Sequence, residues 1–159
     1  MKKLFNSVLF LLFFTLYVEA QEHDYFITTW TTTSSNETIT IPMIGSGYDV
    51  DWGDGVTEDG LNGALTHTFT SAGNHTVKIY HPTPQIRFNN NGDKDKIISI
   101  DQWGTGAWTS MHNAFYGCSN LNGSATDTPD LSSVTDMINM FYFATSFNQP
   151  INDWNVSNV

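Results

Sequence analysis

Hydrophobic and polar positions change rhythm along this chain near residue 97. Before that point the alternation has period two: Tyr48, Val50 and Trp52 fall on one side of an extended backbone, Asp49 and Asp51 on the other. Residues 26–33 (FITTWTTT) and 37–41 (ETITI) are β-branched and aromatic runs parted by the turn-forming Ser34-Ser-Asn36. Residues 65–69 alternate again, 71–74 turn, and 76–80 return, while Gly53-Asp-Gly55 reverses the chain after Trp52. Several short strands at regular turn spacing predict a β-sandwich over residues 22–82. Later in the chain the apolar spacing lengthens. Met137, Met140, Phe141 and Ala144 stand at i, i+3, i+4 and i+7, as do Met111, Ala114, Phe115 and Cys118, and each set fits one face of a helix. Thr135 suits an N-cap, Asn148-Gln-Pro150 a helix stop, and residues 151–156 a short strand.

The two helical sets are copies of each other. A shift of 26 residues lays Met137 on Met111, Phe141 on Phe115, Ala144 on Cys118, Phe147 on Leu121 and Asn148 on Asn122. Val156-Ser-Asn-Val159 repeats Leu131-Ser-Ser-Val134 at 25 residues. A period of this length marks a solenoid, in which each unit buries its apolar face on the next. The predicted fold is therefore a β-rich Ig-like sandwich followed, over 97–159, by an α/β solenoid of about two repeats. Met111, Phe115, Cys118, Leu121, Met137, Phe141, Ala144, Phe147, Trp154 and Val156 are its structural positions. The solenoid is expected to be truncated at the C-terminus, with Phe147, Ile151, Trp154 and Val156 facing an open end that invites fraying or self-association. Residues 83–96, entered through Pro82 and Pro84, form the expected linker, with the polar loop 89–96 its most mobile part.

Residues 1–20 change the compartment. Lys2 and Lys3, an apolar run to Val18 and the small-residue pattern ending at Ala20 predict a secretory signal peptide, with no transmembrane span after its cleavage. Six Lys and Arg against sixteen Asp and Glu give a formal net charge of −10. The cations beyond the leader are Lys78, Arg87, Lys94 and Lys96, too few to release counterions from a nucleic acid. The single cysteine, Cys118, excludes an intrachain disulfide and is expected to pack as an inert buried thiol.

The end of the chain, Met140-Phe-Tyr-Phe-Ala-Thr-Ser-Phe-Asn-Gln-Pro-Ile-Asn-Asp-Trp-Asn-Val-Ser-Asn-Val159, resembles the repeat of the BspA-like leucine-rich-repeat surface proteins of bacteria. Residues 50–55 (VDWGDG), with 66–69 (THTF) and 72–77 (AGNHTV), resemble the PKD domain, an Ig-like extracellular module. In that pattern Trp52, Gly53, Asp54, Gly55 and His67 are structural turn residues. The two resemblances imply a spacer or binding module on a bacterial surface protein, without catalysis. The sequons at Asn36, Asn74, Asn122 and Asn155 then read as turn and strand-exterior residues.

Candidate chemistry is sparse. Asp49, Asp51, Asp54 and Asp59 offer weak calcium candidates, because hard cations take several carboxylate oxygens, but their spacing does not fit an EF-hand. His23, His67, His75, His81 and His112 lack metal-ligand spacing, and no nucleophile elbow occurs. The sequence therefore predicts a non-enzyme without a cofactor: a secreted or cell-surface protein for adhesion, binding a protein or glycan on a host, matrix or neighbouring cell. The alternative is a carbohydrate-binding accessory module using Trp30, Trp52, Trp103, Trp108 and Trp154, a reading that requires those rings to face solvent.

Overall fold

The first strand shows how alternation becomes structure. β1 (Phe26–Thr32) buries Phe26, Thr28, Trp30 and Thr32 and turns the residues between them outward. Its two threonines are not left unsatisfied: Thr28 Oγ1 accepts from Trp30 Nε1 at 2.9 Å, and Thr32 Oγ1 pairs with His75 Nε2 at 2.8 Å. A computed structural model describes residues 24–81 and 83–159, so the predicted leader lies outside the described residues. β2 (Glu37–Ile41), β3 (Ser46–Asp51), β4 (Thr57–Asn62), β5 (Leu65–Phe69), β6 (Gly73–Tyr80), β7 (Ile97–Gln102) and β8 (Asn122–Gly123) follow. A six-stranded sheet runs β4-β3-β6-β1-β7-β8, and β2 pairs with β5 in a two-stranded one.

β1 lies inside the large sheet. It is antiparallel to β6 from Phe26↔Ile79 to Thr32↔Gly73, and antiparallel to β7 through Thr28↔Ile100 and Thr29↔Ser99. Residues on either side of 83–96 thus share one sheet. They also share one core, in which Trp30, Trp52, Ile79 and the β2–β5 residues Ile39, Ile41 and Leu65 join Ile97, Trp108, Phe115 and Leu121. β4 has no apolar alternation to announce it. It is held by the β3 backbone, by Trp52 Nε1 donating to Glu58 at 2.8 Å and by Gly60 N–H donating to Asp49 at 2.9 Å.

The predicted combination of a sandwich with an α/β leucine-rich-repeat solenoid is not what the chain adopts. The described residues are all-β with turns and contain no helix. The segments expected to be helical are tandem turns. Ala114 N–H donates to Met111 C=O and Cys118 N–H to Phe115 C=O; a repeat later Met140 donates to Met137 and Ala144 to Phe141. The third residue of each turn has a positive φ: Asn113 at 54°, Gly117 at 83°, Asn139 at 54° and Phe143 at 59°. That is the position a type II turn fills with Gly or Asn. A left-handed residue every fourth position cannot continue a right-handed helix.

The 26-residue similarity nevertheless has a physical counterpart. Three coils, 86–91, 111–118 and 137–144, lie side by side. Phe88 and Asn90 N–H donate to Ala114 and Tyr116 C=O in the second coil. Met111, Asn113, Phe115 and Gly117 N–H then donate to Asp136, Ile138, Met140 and Tyr142 C=O in the third, at 3.1, 2.9, 2.8 and 2.8 Å. Equivalent rings follow the backbone: Phe115 stacks on Phe141 at 5.6 Å and Tyr116 on Tyr142 at 5.3 Å. The other end of the stack is covered by the chain after β2, where Arg87 N–H donates to Pro42 C=O and Ile44 N–H to Gln85 C=O.

Candidate functional site

Three exposed large hydrophobic side chains of the described residues lie on the third coil. Its inward positions follow the sequence reading: Met140 and Ala144 are buried, and Met137 and Phe141 pack partly buried against the core. Phe147 and Trp154, expected to face an open end, instead pack partly buried against the same core. Its outward positions are Ile138, Tyr142 and Phe143, exposed by 60, 52 and 56%. Phe143 stacks on Tyr142 at 4.3 Å, and the half-buried Tyr116 continues the row from the coil below. The result is a ridge of rings supported from beneath by tandem turns.

Phe143 is out of keeping with its position. One coil earlier the same place holds Gly117, buried, with a Cβ blocked by the Asn90 side chain and backbone. A phenylalanine in left-handed geometry costs about 1–2 kcal/mol relative to its ordinary conformations. Beside the ridge, His112 Nδ1 pairs with Asp136 at 2.7 Å. The Ile138 N–H lowers the Asp136 carboxyl most and His112 lowers it further, so together they outweigh burial.

The other predicted positions serve the fold. Met111, Phe115, Cys118 and Leu121 are buried in the second coil, and Ile151 and Val156 are exposed. Burial pushes the Cys118 thiol well up. Trp52 is buried and stacks on His67 at 4.7 Å, while His67 Nε2 meets Asp54 at 2.8 Å. Burial raises the Asp54 carboxyl, but the His67 and Val56 hydrogen bonds outweigh it and hold it low. Gly53 has φ 78° and lies against the Thr76 carbonyl oxygen, where a side chain has no room.

The calcium candidates do not converge. Asp51 caps Gly53 N–H, Asp54 caps Val56 N–H and Asp49 caps Gly60 N–H. With Asp59 they form no group of three or more metal-ligating side chains, and no such group occurs among the described residues. The tryptophans do not form a sugar platform either: Trp30, Trp52, Trp103 and Trp108 are at most 3% exposed, and Trp154 packs edge-on to Trp103 at 5.2 Å.

Sequence reasoning missed Asn113, Tyr116, Tyr142 and Phe143. Asn113 and Asn139 are 26 residues apart and both left-handed, and Asn113 Nδ2 donates to Asn89 Oδ1 at 2.8 Å. Asparagine, followed by glycine four residues later, was the available signal for left-handed turns. Asp127 was also missed: its carboxylate accepts the Trp103 and Gly104 N–H groups at 2.9–3.0 Å and closes the turn after β7. An open depression of about 440 Å³ lies between the residues after β2 and the first coil, lined by Thr40, Pro42, Met43, Ile44, Arg87 and Phe88. Its lining brings together neither paired carboxylates nor a nucleophile beside a base.

These features define a class: described residues that are all-β, with a stack of turn-built coils over 86–144 and exposed rings on the third coil. Residues 85–159 match the family described as "Mycoplasma protein of unknown function, DUF285". The match begins at the first coil and covers all three. No curated protein and no solved structure matches the chain. Among the described residues, no helix is long and apolar enough to cross a membrane.

Proposed function

We propose that this protein is a non-catalytic binding protein, exported or held at the cell surface, that captures a protein ligand on the ridge formed by Ile138, Tyr142, Phe143 and Tyr116. One observation carries the reading: Phe143 holds a strained left-handed backbone at φ 59° while exposing 56% of its surface. Its ring stacks on the exposed Tyr142 and lies beside Tyr116, whereas the matching Gly117 satisfies the same turn without strain. Strain retained at an exposed aromatic points to function. Aromatic anchors dominate protein interfaces, and a formal net charge of −10 favours neutral or basic partners. The resemblance of the last repeat to BspA-like surface proteins, that of 50–77 to PKD modules, and the leader-like residues 1–20 support export and adhesion.

The test is Phe143→Gly, assayed on arrays of matrix proteins and of glycans. The variant is expected to keep its fold, with a Tm equal to or above that of the parent, and to bind its matrix protein at least ten-fold more weakly. Unchanged binding would remove the ridge from the proposal. Binding confined to glycans would favour the carbohydrate reading, with the stacked Tyr142 and Phe143 rings as its platform.

A further inference from the structure

The depression of about 440 Å³ lies at the covered end of the stack, and its volume falls in the range of about 300–1,000 Å³ typical of small-ligand sites. Its walls come from segments far apart in the chain and are held in register. Arg87 N–H donates to Pro42 C=O at 3.0 Å, Ile44 N–H donates to Gln85 C=O at 2.9 Å, and Met43 bridges Ile86. Pro42, Met43, Ile44, Ala64 and Phe88 make much of the lining apolar. The polar side chains among them leave only nitrogens unpaired. Asn91 Oδ1 accepts from Gly92 N–H and Asn89 Oδ1 from Asn113 Nδ2, so both carboxamides keep their NH2 groups as donors. Thr40 Oγ1 is paired with Thr66 Oγ1 at 3.4 Å, and Thr40 N–H is engaged by Asp93, whose carboxylate also meets Lys96.

Arg87 differs from the lysines near it. Lys94 meets Asp95, and Lys96 meets Glu37 and Asp93. The exposed Arg87 guanidinium makes no hydrogen bond or ion pair among the described residues, and its charge reaches the Asp136 carboxylate only through space. The chain has sixteen acidic residues, yet none closes on this arginine. A guanidinium takes a carboxylate by two parallel N–H···O bonds, a geometry that an ammonium lacks. We propose that the depression binds a small monocarboxylic acid with an apolar body. Arg87 and the Asn91 amide hold the acid group, and Pro42, Met43 and Ile44 cover the body. A formal net charge of −10 repels polyanions at long range, which restricts the site to a single charge recognised at contact. The same group occurs on a free acid and on the end of a peptide with an apolar last residue. The site uses none of the ridge residues and goes beyond the ligand surface they form.

The test follows amide chemical shifts of the protein while phenylbutyrate is titrated in. Phenylbutyramide keeps the body without the charge, and acetate keeps the charge without the body. Phenylbutyrate is expected to saturate and to move the Thr40, Ile44, Arg87 and Asn91 amides, and both controls should bind about ten-fold more weakly or worse. Arg87→Gln changes an exposed side chain without internal bonds, so Tm should hold while affinity for phenylbutyrate falls about ten-fold. Arg87→Lys should recover only part of that loss, because it restores the charge and not the fork. Phe143→Gly should bind phenylbutyrate like the parent, which separates failure here from failure of the ridge. A peptide ending in leucine, run against its C-terminal amide, identifies the source: tighter binding of the free-acid peptide than of phenylbutyrate places the group on a protein end. Absence of saturation by either acid, equal binding of phenylbutyramide, unchanged binding by Arg87→Gln, or shifts confined to residues outside the depression would each overturn the proposal.

Discussion

Single residues decide whether a turn can repeat. Gly117 occupies a left-handed position with its Cβ direction blocked by Asn90, so Gly117→Ala combines backbone strain with a steric clash. It is expected to destabilise the chain by about 2 kcal/mol or more, read as a lower denaturation midpoint. Phe143→Gly changes the counterpart residue in the favourable direction, and the opposite signs of the two changes test the turn assignment itself. Cys118 lies beside them, fully buried, with its thiol held protonated by burial. Native protein is expected to resist a bulky maleimide, and Cys118→Ala to cost little, because the next coil accepts Ala144 at the same place. Stoichiometric labelling of folded protein would contradict this.

Elements are joined by a few polar side chains where apolar packing ends. Glu37, at the start of β2, accepts from Thr33 and Ser34 N–H and pairs with Lys96 at 3.0 Å. Lys96 also meets Asp93 at 3.0 Å and donates to Thr38 C=O, so the 89–96 segment is tied to β2. The Thr33 N–H bond, followed by that of Lys96, lowers the Glu37 pKa from 4.5 to about 2. A depressed folded value means the stabilisation is present above the unfolded value and lost as pH falls from about 4.5 towards 2. Thermal melts should show Tm falling through that window, and Glu37→Gln should flatten the fall. At the other end of the sheet, Asp127→Ala would leave the Trp103 and Gly104 N–H groups without their acceptor. A loss of about 1–3 kcal/mol is expected, measured by denaturant titration.

At the scale of the molecule, β1 is paired on both edges, by β6 from its own half and by β7 from beyond residue 96. A fragment ending at residue 81 would expose the β7 edge of β1 and uncover Trp30, which stacks near Phe88 at 5.9 Å. The full chain is therefore expected to unfold in one calorimetric transition, and the 24–81 fragment to lack a cooperative melt. An independently melting fragment would show that the shared sheet is not required for folding.

Much of the β half was legible because alternation is a local property. Tyr48, Val50, Trp52, Leu65 and Phe69 are buried where period two placed them. The repeat was legible for a similar reason, since stacking identical rings requires identical residues at a fixed offset. What could not be read was the backbone between those rings. Met111, Ala114, Phe115 and Cys118 sit on the inward side of tandem turns at the same spacing as on a helix, so side-chain periodicity cannot tell the two apart. Tertiary structure decided it: amides that a helix would spend on the residue four back are given to the neighbouring coil. β4 and the turn closed by Asp127 likewise exist only through partners far along the chain. The sequence by itself determined which faces are apolar and that they recur, because burial acts on each side chain separately. Only the assembled stack decided which backbone groups are satisfied, because hydrogen bonds between coils depend on who lies next to whom.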